Sequence, residues 1–121
     1  MFERREAAFF LPLGAQEEEM YILQVSRHSP ESCMLFNEQS RNMTVKLLKG
    51  MEKLLPKHGI KLLSSWNDMA AHEIFNIYEA PNMESFMELL QEPEMVAWLN
   101  SHRVQNRVVL SLEQAKPMLG L

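Results

Sequence analysis

From residue 20 onward, apolar positions fall into two rhythms, one of period two and one of three to four residues. Met20–Arg27 (MYILQVSR) is rich in Tyr, Ile and Val and predicts a first strand. Ser29-Pro30-Glu31 then reads as a helix start, with Ser as N-cap, Pro at the first helical position and an acid in the first turn. Cys33, Phe36, Met43, Leu47, Met51, Leu54 and Leu55 recur every three or four residues, which predicts a long amphipathic helix to about Leu55. The polar run Asn37–Asn42 is the place for a break in it, and Pro56 and Gly59 close it. Ile60–Trp66 and Glu73–Ala80 are the second and third strands, a hairpin joined by the short Asn67–Ala71 connection. Asn82 caps a second helix carrying Met83, Phe86, Met87 and Leu90 on one side. Pro93 breaks that helix and starts a further turn bearing Met95, Val96, Trp98 and Leu99. Val104–Leu112 is the last strand, followed by a short C-terminal helix or tail.

The order β-α-β-β-α-β is the ferredoxin-like arrangement, an α+β fold with one four-stranded antiparallel sheet. Right-handed crossovers place both helices on one sheet face and leave the other bare, to be covered most simply by a second copy. Phe75 and Ile77 on the third strand, Leu23 and Val25 on the first, and Val108 and Leu110 on the fourth are expected to face the helices. The mixed rows Ile22/Gln24/Ser26 and Ile74/Asn76/Tyr78 are then expected on the bare face, beside a partner chain or a semi-polar cavity. A slip of one residue would reverse this assignment.

With 121 residues the chain has room for one core, and 46% hydrophobic with 23% charged residues is an ordinary globular balance. No apolar run reaches the roughly 18 residues of a membrane span, so no membrane partner is expected. The net charge of −4 is concentrated in residues 1–19, where Arg4 and Arg5 stand against Glu3, Glu6, Glu17, Glu18 and Glu19. The remainder, with 10 basic and 11 acidic residues, has no footprint for a phosphate backbone, and nucleic acid is not expected. One cysteine, Cys33, cannot form an internal disulfide, which points to a free thiol in a reducing, cytoplasmic setting.

Residues 1–19 stand apart from the single domain expected over 20–121. Glu3 and Glu6 spoil the positive start of a signal peptide. The segment reads either as an arm whose Phe9, Phe10 and Leu11 pack on the domain or a partner, or as an extension ahead of a natural start at Met20. Of the ten methionines, Met43, Met51, Met83, Met87 and Met95 fall at helical core spacing and are expected to fill the core.

Gly59–Trp66 (GIKLLSSW), Ala71–Phe75 (AHEIF) and Tyr78-Glu79-Ala80 resemble the core of small dimeric α+β barrel domains: a glycine, a strand ending in Trp, a loop with His, a strand ending in Glu-Ala. Glu92–Met95 and Trp98 fit the second-helix region of the same group, and the likeness runs from about Met20 to Ala115. The resemblance implies a ferredoxin-like fold dimerising sheet to sheet, in the neighbourhood of antibiotic-monooxygenase-like and muconolactone-isomerase-like proteins. Fold analogy by itself imports no mechanism. Haem-degrading proteins of this fold place Trp on the third strand and the following helix, whereas Trp66 is on the second, so no haem or other cofactor is expected.

His72 is the candidate catalytic acid/base, at the same sheet end as the indole of Trp66. Trp66, Asn76, Tyr78, Gln24, His28 and Arg107 are the candidate ligand-binding residues. The bland alternatives are a large strand-end residue, a polar hairpin residue and hydrogen bonds across a dimer. His28 and His72 are two potential metal ligands, but no spaced carboxylate or thiolate set completes a shell, so no metal is expected. Cys33, in the expected first helical turn, reads as a buried inert thiol. His58 and His102 read as helix-end residues. Lys46, Lys49, Lys53 and Lys57 on the first helix and Glu84, Glu88 and Glu92 on the second form stripes that meet at a rim. No phosphate loop, dinucleotide fingerprint, CxxC pair or nucleophile elbow occurs. The expectation is a homodimeric barrel protein binding a small, partly apolar molecule, with a cofactor-independent monooxygenase or isomerase and a non-catalytic interaction module as alternatives.

Overall fold

The computed structural model describes residues 19–121, so the arm or extension expected over residues 1–19 lies outside the described residues save for Glu19. The elements are β1 (Met20–Arg27), a 3-10 turn (Pro30–Ser32), α1 (Glu38–Lys57), β2 (Lys61–Asp68), β3 (Glu73–Ala80), α2 (Met83–Leu90), α3 (Pro93–Asn100), β4 (Arg103–Val109), α4 (Leu112–Ala115) and a closing 3-10 turn (Lys116–Leu119). The strands form one antiparallel sheet in the order β2-β3-β1-β4, the ferredoxin-like topology. None of the described helices is long and apolar enough to cross a membrane.

The helix ends follow local chemistry. The Asn37 side chain caps α1 by accepting from the Ser40 amide at 2.9 Å, and its Nδ2 donates to the Glu31 carbonyl at 3.0 Å. The expected start at Pro30 is therefore only one 3-10 turn, and Cys33 follows it in extended backbone. Arg41 holds that connection by donating to the Met34 and Leu35 carbonyls, both at 3.0 Å. Cys33 is buried but sits outside α1, and Phe36, expected in the core, is 80% exposed. At the other end Gly59 takes φ +69°; the Ile60 amide donates to Leu55 and the Gly59 amide to Pro56, a Schellman closure. Asn82 caps α2 through the Ser85 amide at 2.8 Å. The Ser111 capping box starts α4, which ends β4 at Val109, short of the expected Leu112.

The face assignment is reversed on β1 and β3. Ile22, Gln24 and Ser26 on β1, and Ile74, Asn76, Tyr78 and Ala80 on β3, are the buried residues, packed beneath the helices with Leu47, Met51, Leu54, Phe86, Leu89, Met95 and Trp98. The rows expected against the helices, Leu23/Val25 and Phe75/Ile77, lie on the other face and are half-buried. Gln24 and Asn76 occupy the inner rows as a cross-strand hydrogen-bonded pair, which offsets the penalty of burying them, whereas the Ser26 hydroxyl beside them has no partner among the described residues. On β4, Val108 does pair with Ile22 on the helix side, but at the sheet edge it is 54% exposed. On α2 the core positions are Phe86 and Leu89, whereas Met83 and Met87 are exposed; Met51 and Met95 are buried as expected. The helix alongside α1 is α3, not α2, and the charged rim forms at the α2–α3 junction, where Lys57 Nζ meets Glu92 at 2.8 Å.

A β-bulge on β2 between Leu62 and Ser64 changes which side each later residue takes. Leu62 pairs with Tyr78 on the helix side, while Ser64 pairs with Ile77 and Trp66 with Phe75 on the open side. Without the extra residue Trp66 would share a face with Leu62. The bulge therefore puts its indole outside.

Candidate functional site

β1 ends where β3 and β4 begin, so residues far apart in sequence converge at one sheet end. The register pairs Arg27 with both Glu73 and Arg103. One step beyond, His28 falls between His72 and His102. The His28 amide donates to the His72 carbonyl at 3.2 Å, and the His28 ring centroid lies 5.3 Å from that of His72 and 5.5 Å from that of His102. His72 has φ +57°, a left-handed backbone that histidine tolerates better than most residues, and it turns the chain from the hairpin into β3. His102 stacks on Trp98 at 4.1 Å, with its Nδ1 donating to the Trp98 carbonyl at 2.8 Å.

Two small clefts flank His28, each with a volume of about 10 Å³. Cys33, Met34, Met69 and His72 line the first; Met34, Thr44, Ile74 and His102 line part of the second. That is room for about one water, so the clefts as they stand fit an ion or a small group. Both ring nitrogens of His28 and Nδ1 of His72 are buried without a hydrogen-bond partner among the described residues. Burial, together with the neighbouring His102 and His72, lowers the His28 pKa; burial also lowers that of His102, opposed in part by its bond to Trp98. These two imidazoles are accordingly neutral at neutral pH, able to accept a proton or donate a lone pair.

Behind His28 a polar row runs inward along β1. Ser26 is fully buried with its hydroxyl unpartnered among the described residues, and Gln24 follows. Gln24 Oε1 accepts from Asn76 Nδ2 at 3.2 Å and from the Tyr78 hydroxyl at 3.4 Å, while its Nε2 donates to Asn106 Oδ1 at 3.1 Å. Ser65 donates to Asn76 Oδ1 at 2.6 Å. Burial pushes the Tyr78 pKa up to about 12, so its hydroxyl keeps its proton and serves as a donor.

The structure thus brings His72 and His28 together at the clefts. Gln24, Asn76 and Tyr78 are placed behind them, paired with each other. Trp66, 68% exposed on the open face, does not line the cleft of His72, and Arg107, paired across from Leu23, is on that open face too. Sequence reasoning passed over His102 and Cys33 as site residues. The signal for His102 was available: once strand pairing is set, 28, 72 and 102 occupy one cross-strand row.

No family model and no curated protein matches the sequence. Solved structures do resemble the fold. A Bacteroides thetaiotaomicron protein described as an antibiotic biosynthesis monooxygenase superposes with a TM-score of 0.60 at 13% identity, covering 82% of this chain and 93% of its own. A Pseudomonas aeruginosa protein gives a TM-score of 0.53 at 9% identity, covering 78% and 95%. A NIPSNAP family protein of unknown function from Agrobacterium tumefaciens gives 0.50 at 12% identity, covering 77% and 87%. At these identities the likeness carries the fold alone, the ferredoxin-like arrangement of strands and helices.

Proposed function

We propose that this chain is a homodimeric α+β barrel protein that binds a small, partly apolar molecule at the histidine end of its sheet. The observation that carries the reading is the group of buried nitrogens on His28 and His72 that have no hydrogen-bond partner among the described residues. Buried polar atoms are nearly always satisfied, and those left over favour a ligand as their partner. The thioether and aliphatic walls of Met34, Met69 and Ile74 suit the apolar part of such a ligand. A second reading, acid/base catalysis by His72 in a cofactor-independent monooxygenase or isomerase, is favoured by its unpartnered ring Nδ1 at a cleft and by the name of the Bacteroides neighbour.

A fragment library screened by NMR against histidine ring resonances tests the binding reading. Shifts concentrated on His28, His72 and His102 are expected, and a library that leaves all three unmoved overturns it. Quinol oxidation by wild type and His72→Asn tests the catalytic reading. Equal rates remove His72 from any mechanism.

A further inference from the structure

We propose that His28, Cys33 and His72 form a binding site for a thiophilic d-block cation of the Zn²⁺ kind. Each contributes one potential ligand atom, and these atoms lie within 4.8 Å of one another. Zinc bound by nitrogen at about 2.0–2.1 Å and sulfur at about 2.3 Å in a tetrahedron sets ligand atoms roughly 3.3–3.8 Å apart. The three side chains need to close by only about 1 Å, a rotamer-scale movement.

The donor set argues for that class of ion. Two imidazoles and one thiol suit zinc and its neighbours, whereas Mg²⁺ and Ca²⁺ take oxygen shells. The cleft does hold two carboxylates, but Glu73 is paired with Arg27 and one oxygen of Asp68 accepts from the Ala71 amide. The nitrogens of His28 and His72 that lack a partner among the described residues meet one further requirement, since a ligating imidazole must present an unengaged lone pair. Cys33 is 2% exposed, free of any disulfide, and reaches the cleft because the chain leaves the 3-10 turn in extended backbone. Binding replaces the thiol proton with the metal, and that proton leaves to solvent.

Three protein ligands leave the fourth position of a tetrahedron for water or a small donor, the arrangement of open zinc sites. The inference rests on the reading of the histidine end as the binding site and names what that site holds. The geometry also explains why spacing in the sequence gave no metal signature. His28 and Cys33 come from one loop and His72 from another, and only antiparallel pairing of β1 with β3 joins them.

Titration of the full chain with Co²⁺, a spectroscopic stand-in for Zn²⁺, provides the test. The expected result is one ion per chain with a thiolate-to-cobalt charge-transfer band, displaced by one equivalent of Zn²⁺. Cys33→Ser should abolish the band, and His28→Gln and His72→Asn should weaken binding by more than the roughly 10–100-fold typical of losing an outer partner. Asn is chosen at position 72 because it tolerates the left-handed backbone there, so a folded variant is available even if Cys33→Ser does not fold. Stoichiometric Co²⁺ without a charge-transfer band, wild-type affinity in the histidine variants, or no binding would each overturn the metal site. If histidine resonances still respond to an organic fragment in that case, the small-molecule reading stands and only the cation is lost.

Discussion

At the scale of single residues, the inner row of β1 shows how polar side chains come to occupy a core position. Gln24 has no exposed surface and uses both ends of its amide, accepting from Asn76 and Tyr78 and donating to Asn106. Replacing it by Leu keeps the volume but leaves those partners unpaired. A buried group without its partner costs about 1–3 kcal/mol, so Gln24→Leu is expected to lower stability by about 2 kcal/mol or more. Urea unfolding measures this, and a variant as stable as wild type would show that the network contributes nothing net. His72 carries a different lesson. Its place in the hairpin and its pairing with His28 were readable from the sequence, but its ring direction and its company with Cys33 were not, because they depend on a positive φ and on pairing between distant strands.

At the scale of elements, helix ends carry the clearest sequence signals. Asn82, Gly59 and the Pro93 restart were all legible, since capping and helix closure depend on residues close in sequence. Asn37 was readable only as a break, because Ser29-Pro30 offered a competing start. The Schellman closure gives a direct expectation for Gly59→Ala. An added Cβ would meet Pro81 Cγ at an ordinary 3.6 Å, so sterics with neighbours are not the issue. The φ of +69° is, and a Cβ there should cost about 1–2 kcal/mol in thermal or urea unfolding.

The same helix end carries a pH-dependent tie. Glu92 accepts from Lys57 at 2.8 Å and contacts His58 Nε2 at 2.6 Å, with Glu88 3.9 Å from the other His58 nitrogen. The bond from Lys57 first, and the one from His58 second, hold the Glu92 pKa below its ordinary 4.5. A carboxylate whose folded pKa is depressed binds fewer protons folded than unfolded. Its stabilisation is therefore complete above about 4.5 and is lost as pH falls through the folded value. Glu92→Gln should narrow its stability gap from wild type between pH 6 and pH 3. A gap that stays constant over that range would remove Glu92 from the acid response.

At the scale of the molecule, the reversed sheet faces strengthen the case for a second copy. The open face now carries the apolar row Leu23, Val25, Phe75 and Ile77, with Trp66 68% and Leu63 49% exposed beside it. Contiguous apolar surface of this kind marks an interaction surface, and a self-complementary sheet face is a common solution. Light scattering at micromolar concentration is expected to give the dimer mass for wild type and the monomer mass for Trp66→Glu, a position exposed enough to accept the charge when alone. A wild-type monomer would overturn the homodimer.

The sequence by itself determined the element order, the Asn82 cap, the Gly59 closure and the hairpin, because each rests on contacts within a few residues. Size, period and turn chemistry then left the ferredoxin-like topology as the fitting one. Tertiary structure alone decided which face of the sheet is inner, since alternation is symmetric under a one-residue slip and only cross-strand pairing of Gln24, Asn76 and Asn106 breaks the tie. A single bulged residue sent Trp66 outward. Strand register, which no local pattern encodes, set His28, His72 and His102 in one row with Cys33 against them.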